Sequence, residues 1–171
     1  MARYWRIAAV LLCLLPAFAA TAEDPQTLLT ITQKGSVLGT FSLAALEAVG
    51  AVVVTVEDDS GQSSDYTGVP ISKLLESVGV PLGKSVRGER LSDFVMVRAL
   101  DGYRVLFSLA ETDPTFRERT LLICYRKDSG PLPGKEGPLR AVVADEKRHA
   151  RWVRQVTAIE LGRVEEPSPA R

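Results

Sequence analysis

The sequence predicts an α+β domain. Three observations carry this reading: no internal repeat is present, β-forming runs such as "AVVVTVED" and "TLLICYR" recur along the chain, and the helical patterns between them are few and short. In order, alternation in "TLLTITQ" marks a first strand, and "SLAALEAVG" a short helix that Ser42 can cap and Gly50 can stop. "AVVVTVED" is strongly β-forming, and the "DSGQSSDYTG" after it is loop by composition. "VPISKLLESVG" has Pro70 near a helix start, apolar Leu74, Leu75 and Val78, and Gly79 at the stop.

"DFVMVRALDGYRVLFSLAE" is the clearest hairpin. A two-residue turn at Asp101-Gly102, with positive φ at both positions, places Arg98 opposite Val105 and Met96 opposite Phe107. Both faces of that ribbon are mostly apolar, so cover on both sides is expected. Ser108 and Glu111 then form a capping-box pattern for a helical turn. "TLLICYR" follows as a strand buried on both faces, then a turn rich in Gly and Pro, then "LRAVVA" as another strand. "RWVRQVTAIELG" fits two templates. Trp152, Val153, Val156 and Ile159 match a helical stripe, while the Val and Ile content matches a bulged strand.

The first 22 residues read as a secretory signal: Arg3 and Arg6, the apolar "IAAVLLCLLPAFAA", and the small-x-small ending Ala20-Thr21-Ala22. The apolar stretch is short for a membrane span, and uncleaved anchoring is the alternative. Cutting after Ala22 leaves one domain at residues 23–162 and a frayed tail at 163–171, in the periplasm or outside the cell. No transmembrane run follows. The leader carries two of the 21 basic residues and none of the 21 acidic ones, so the remainder is 19 against 21, a net charge of −2. Such a chain has no overall field for nucleic acid or an anionic membrane, and any basic patch is local.

Only Cys124 remains after that cut, which excludes an intramolecular disulfide and multi-thiolate metal sites. Its place in "LLICY" reads as a small buried hydrophobe rather than a reactive thiol. His149 is the only histidine and so the only histidine base; no nucleophile elbow, phosphate loop or zinc-protease motif stands in the sequence. Asp58 and Asp59 read as solvated loop charges. No catalytic residue and no metal ligand is nominated.

Four segments nevertheless carry a resemblance. "YTGVPISKLLESVGV", "VRALDGYRVLFSLAETDP", a strand running into "KDSGPLPGKEGPLRAVV", and the ending from Arg151-Trp152-Val153 to Ile159-Glu160-Leu161 occur in the order of the sulfite-oxidase-type molybdopterin-binding domain. The chain resembles that family over about residues 50 to 162. The resemblance implies mixed β-sheets with a few short helices, and makes the ambiguous ending a strand.

In that family the active site is an oxidoreductase centre, with molybdenum held by a pterin dithiolene and one protein cysteine. The cysteine stands after the strand equivalent to "AVVVTVED" and before the "tGvP" element; here Val52 to Thr67 contains none, and Cys124 belongs to another strand. The glycine-containing stretch after "GPlR.vv" is replaced by Ala144-Asp145-Glu146-Lys147, whose acids oppose a pterin phosphate. The resemblance therefore argues for the fold more strongly than for the activity. One reading is a cofactor-free exported module that binds a small anionic ligand, or a periplasmic or membrane protein partner. The other is a molybdopterin-dependent oxidoreductase with altered ligation, acting on sulfite, sulfoxides or similar oxo-compounds. Both put the cleft at "DEKRHARW", with Arg140, His149, Arg151 and Trp152 as its binding residues: arginine forks for an anion and an aromatic wall. The bland alternative for the same stretch is a solvated connection in which Asp145 and Glu146 neutralise neighbouring bases.

Overall fold

A computed structural model of the chain describes residues 26–57, 61–118, 121–144 and 146–164. The expected leader, and the tail from residue 165 on, lie outside the described residues. No helix among the described residues is long and apolar enough to cross a membrane.

Among the described residues, two five-stranded sheets and three short helices make up the fold, an α+β architecture as the sequence predicts. The first sheet contains β1 (Leu29–Gln33), β2 (Ser36–Phe41), β5 (Asp93–Ala99), β6 (Arg104–Ser108) and β10 (Val156–Arg163) in the order β2-β1-β10-β5-β6. It is mixed: β1 runs parallel to β10, and the other pairs are antiparallel. The second sheet lines up β3 (Val52–Glu57), β4 (Ser63–Pro70) and β7 (Leu121–Lys127). The two-residue β8 (Gly130–Pro131) and β9 (Arg140–Val143) both pair with β7.

The helices start and stop for local reasons. α1 (Leu43–Gly50) begins where the Ser42 hydroxyl accepts from the Ala45 amide at 3.3 Å. It ends at Gly50, whose φ of +111° suits glycine alone. α2 (Ile71–Ser77) buries Ile71, Leu74 and Leu75, and Gly79 at φ +81° turns the chain away. α3 (Leu109–Thr112) carries the full capping box between Ser108 and Glu111. Residues Leu121 to Tyr125 of β7 are all buried, in agreement with a strand covered on both faces. β4 crosses β7 so closely at Gly68 that a Cβ there would stand 2.5 Å from the Ile123 carbonyl oxygen and 2.6 Å from the Cys124 Cα.

Four local expectations are corrected. Residues 63–68, read as loop, form the first six residues of β4 (Ser63–Pro70). Inward Ser64 and Tyr66 alternate with outward Ser63 and Asp65, a strand pattern that the polar Ser64 conceals. A strand was also overlooked: β2 follows β1 through Lys34-Gly35, and both turn residues have positive φ (49° and 80°). That is the two-residue turn expected at Asp101-Gly102. There only Gly102 is left-handed, and the Ala99 amide bonds the Tyr103 carbonyl, leaving Leu100, Asp101 and Gly102 as a three-residue loop. The extra residue slips the register by one, so Arg98 faces Arg104 and Met96 faces Leu106. Finally, the hairpin is covered on one face only: Val95, Val97 and Phe107 are buried, while Leu106 on the other face is half exposed. The ambiguous ending resolves as strand β10 with a register shift between Val156 and Ala158, the bulge its composition allows.

A cleft between the end of β3 and the connection after β9

β9 enters the core with all four residues buried, Arg140 included. Facing Cys124 across the ladder, Arg140 is only 6% exposed. Its Nη1 donates to the Tyr66 hydroxyl at 3.2 Å and to the Glu136 carboxylate, which lies one helical-turn spacing earlier in the sequence. The guanidinium stands over two rings, 5.6 Å from the Tyr66 centroid and 5.2 Å from that of Trp152. Its Nε has no hydrogen-bond partner among the described residues.

Trp152 is the hub of this group. Its indole N–H donates to the Val143 carbonyl at 3.2 Å, and its face stacks on His149 with centroids 3.8 Å apart. Tyr66 meets it edge-on at 5.8 Å. A 3-10 turn at His149–Arg151 presents the histidine, and the Tyr103 hydroxyl from the first sheet donates to the Ala150 carbonyl at 2.7 Å. The stretch is therefore tied to both sheets rather than a loose solvated connection. Arg140, His149 and Trp152 come together in one column.

Arg151 does not join them. Its Nε and Nη2 bind Glu146 at 3.0 and 2.6 Å, its Nη1 reaches Glu111 at 3.4 Å, and its guanidinium covers the Phe107 ring at 4.8 Å. Burial alone would lower the Arg151 pKa, but the two carboxylates outweigh it and hold the charge firmly. Burial likewise pushes the Glu111 carboxyl up. Hydrogen bonds from the Ser108 backbone and from Arg151 more than offset this, so it lies below the usual range.

The column borders a cleft of about 290 Å³. Thr55, Val56 and Glu57 from the end of β3 form one wall; Glu146, Lys147, His149 and Trp152 form the other. Larger hollows of about 310 and 400 Å³ lie beside α2 and beside Tyr125, away from every residue nominated from the sequence. Tyr66, Glu136 and Glu57 are the participants that the sequence reading missed, while Lys147 lies in the stretch it placed at the cleft. Tyr66 sits in the quoted "YTGVP", and Glu136 stands four residues before Arg140, but only the pairing of β4, β7 and β9 brings them together.

The family model of the oxidoreductase molybdopterin binding domain matches residues 40–170. The chain belongs to that family. A search of curated proteins finds no match. Molybdopterin is the cofactor this family implies, and the cleft of this member does not fit the metal centre. The resemblance implies a cysteine ligand after β3, and the sequence from Val52 to Thr67 has no cysteine. Cys124 cannot stand in. It is wholly buried in β7, and desolvation pushes its thiol up to about 12 against the opposing pull of Arg140. Nor does the cleft present a free arginine fork to the phosphate of a pterin cofactor: Arg140 is tied to Glu136, Arg151 to Glu146 and Glu111. Two carboxylates, Glu57 and Glu146, face the space instead.

Proposed function

We propose that this member of the molybdopterin-binding oxidoreductase domain family is a non-redox binding module, exported by its N-terminal segment and acting in the periplasm or outside the cell. The observation that carries the reading is the donor set of the cleft: carboxylates, an ammonium and stacked aromatic rings where redox members carry a thiolate. Such a lining binds small polar ligands or a partner's side chains by charge and hydrogen bonding, and lacks a thiolate for molybdenum. Lys147 supplies the exposed cation for an anionic group.

Elemental analysis of protein from a host that makes the cofactor tests the redox half. Little molybdenum is expected, and near-stoichiometric metal with sustained reduction of an artificial acceptor would instead establish an oxidoreductase with altered ligation. A thermal-shift screen of small carboxylates, phosphates and pterins tests the binding half. Stabilisation by one of them that is lost in Lys147→Ala supports the cleft as the site. Stabilisation unchanged by both Lys147→Ala and Glu57→Ala rules it out. N-terminal sequencing of exported material tests the leader, with a start near Glu23 expected and an intact Met1 in a soluble cytoplasmic fraction counting against it.

A further inference from the structure

Strand β3 is the exposed edge of the second sheet. Natural sheets protect such edges with charges, prolines, bulges or overlying chain. The other edges here follow that rule. β6 opens with Arg104, β2 carries Gly39 beside a register irregularity, and β9 is covered by the Val153 backbone, whose carbonyl accepts from the Ala141 amide at 2.8 Å. β3 carries a charge only at its last residue, Glu57, where the cleft separates it from the connection after β9. It pairs with β4 in unbroken register over six residues, Val52 to Val56 carry no charge, and Val53 is 60% exposed. Among the described residues no strand lies on its outer side.

We propose that the outer edge of β3 pairs antiparallel with β3 of a second copy of this chain, forming a two-fold dimer. The edge is self-complementary. With Val54 on the axis, Val52 falls opposite Val56 and Val53 opposite Thr55, so β-branched side chains meet on both faces and no like charges oppose. At the ends, Ala51 faces Glu57 of the other copy. Beside Ala51 stands the Lys73 ammonium, which donates to the Gly50 carbonyl at 3.4 Å. Neither Glu57 nor Lys73 has an ion-pair partner among the described residues, so each copy supplies a carboxylate where the other supplies an ammonium. Pairing of single edge strands buries less than the roughly 1,200–2,000 Å² of a standard stable interface, so the dimer is a weak one that forms as concentration rises. The inference does not depend on the metal content of the cleft.

Sedimentation equilibrium up to roughly millimolar protein tests it, because a dimer held by only about 4 kcal/mol is already populated there. A monomer–dimer equilibrium is expected, with slowed amide exchange at alternate residues from 52 to 56. Val53→Lys, at an exposed position, should raise the dissociation constant by about tenfold or more. Glu57→Lys and Lys73→Glu should each weaken the dimer, and the double exchange should restore it. A chain that stays monomeric, dimerises with unchanged exchange at β3, or gains nothing from the double exchange overturns the proposal. So does a monomer whose β3 is occupied only by an unrelated peptide strand. Molybdenum-loaded protein that still dimerises through β3 would refute the non-redox reading alone.

Discussion

Cys124 and Arg140 face each other on β7 and β9, and opposite physics buries them. The thiol is neutral when buried, so desolvation costs nothing until it ionises. The guanidinium is always charged, and it is tolerated because Glu136, Tyr66 and two ring faces surround it. The thiol has a consequence at high pH. An unfolded cysteine releases its proton from about 9, whereas folded Cys124 keeps it until about 12. Between those values the unfolded state binds fewer protons, so stability falls as pH rises, by up to roughly 1.4 kcal/mol per pH unit. Tyr125, also raised chiefly by burial, acts with the same sign. Urea denaturation from pH 8 to 11 is expected to show this decline, and a shallower one in Cys124→Ala. A thiol reagent at pH 8 should label Cys124 of the wild type only after denaturation. The burial of Cys124 was legible in the apolar "LLICY". That of Arg140 was not, because a lone arginine entering a strand reads as a surface cation until its carboxylate and rings are located.

At the scale of elements, β4 shows how pairing overrides composition. "SSDYTG" has the residues of a loop, but β3 pairs with all of it and β7 joins from Tyr66 on, and the Thr55 hydroxyl fixes Asp65 at 2.6 Å. Gly68 is the element's critical position. A methyl group there meets backbone atoms of Ile123 and Cys124, which cannot rotate away as a side chain could. Gly68→Ala is expected to destabilise by roughly 3 kcal/mol or more, among the large effects of overpacking a core. Chemical denaturation measures it, and a change under 1 kcal/mol would mean that the β4–β7 crossing yields easily. By contrast, α1, α2 and α3 were legible because their start and stop signals are local: Ser42, Gly50, Gly79 and the Ser108–Glu111 box. The hairpin of β5 and β6 was legible as a hairpin but not in register, since Asp-Gly serves both two- and three-residue loops.

For the whole molecule, the two sequence-nominated arginines join parts of the fold with different force. Arg151 connects α3, beside the first sheet, to Glu146 in the connection after β9 of the second; both of its ion pairs are partly solvent-exposed. Arg151→Ala should cost about 1 kcal/mol or less, and less still in high salt. Arg140→Ala removes the partner of a carboxylate and the cation between two aromatic rings in the interior. It should cost roughly 3 kcal/mol or more. Thermal unfolding of the two variants side by side checks the ranking; equal losses would contradict it. The same ranking makes Lys147 and Glu57 better probes of the cleft than Arg140, whose loss would confuse ligand binding with folding.

What the sequence by itself determined is what local chemistry and spacing encode. The α+β class, the three capped helices, the doubly buried "LLICY" strand, the family and the lack of a cysteine at the end of β3 were all readable there. The tertiary structure decided which charges are free. Arg140 and Arg151 look alike in "GPLRAVVADEKRHARWV", yet one is sealed between Glu136, Tyr66 and Trp152 and the other spans two carboxylates. Charge pairing is set by residues distant in sequence that strand order makes neighbours, and at short range such a partner outweighs any preference the residue carries alone.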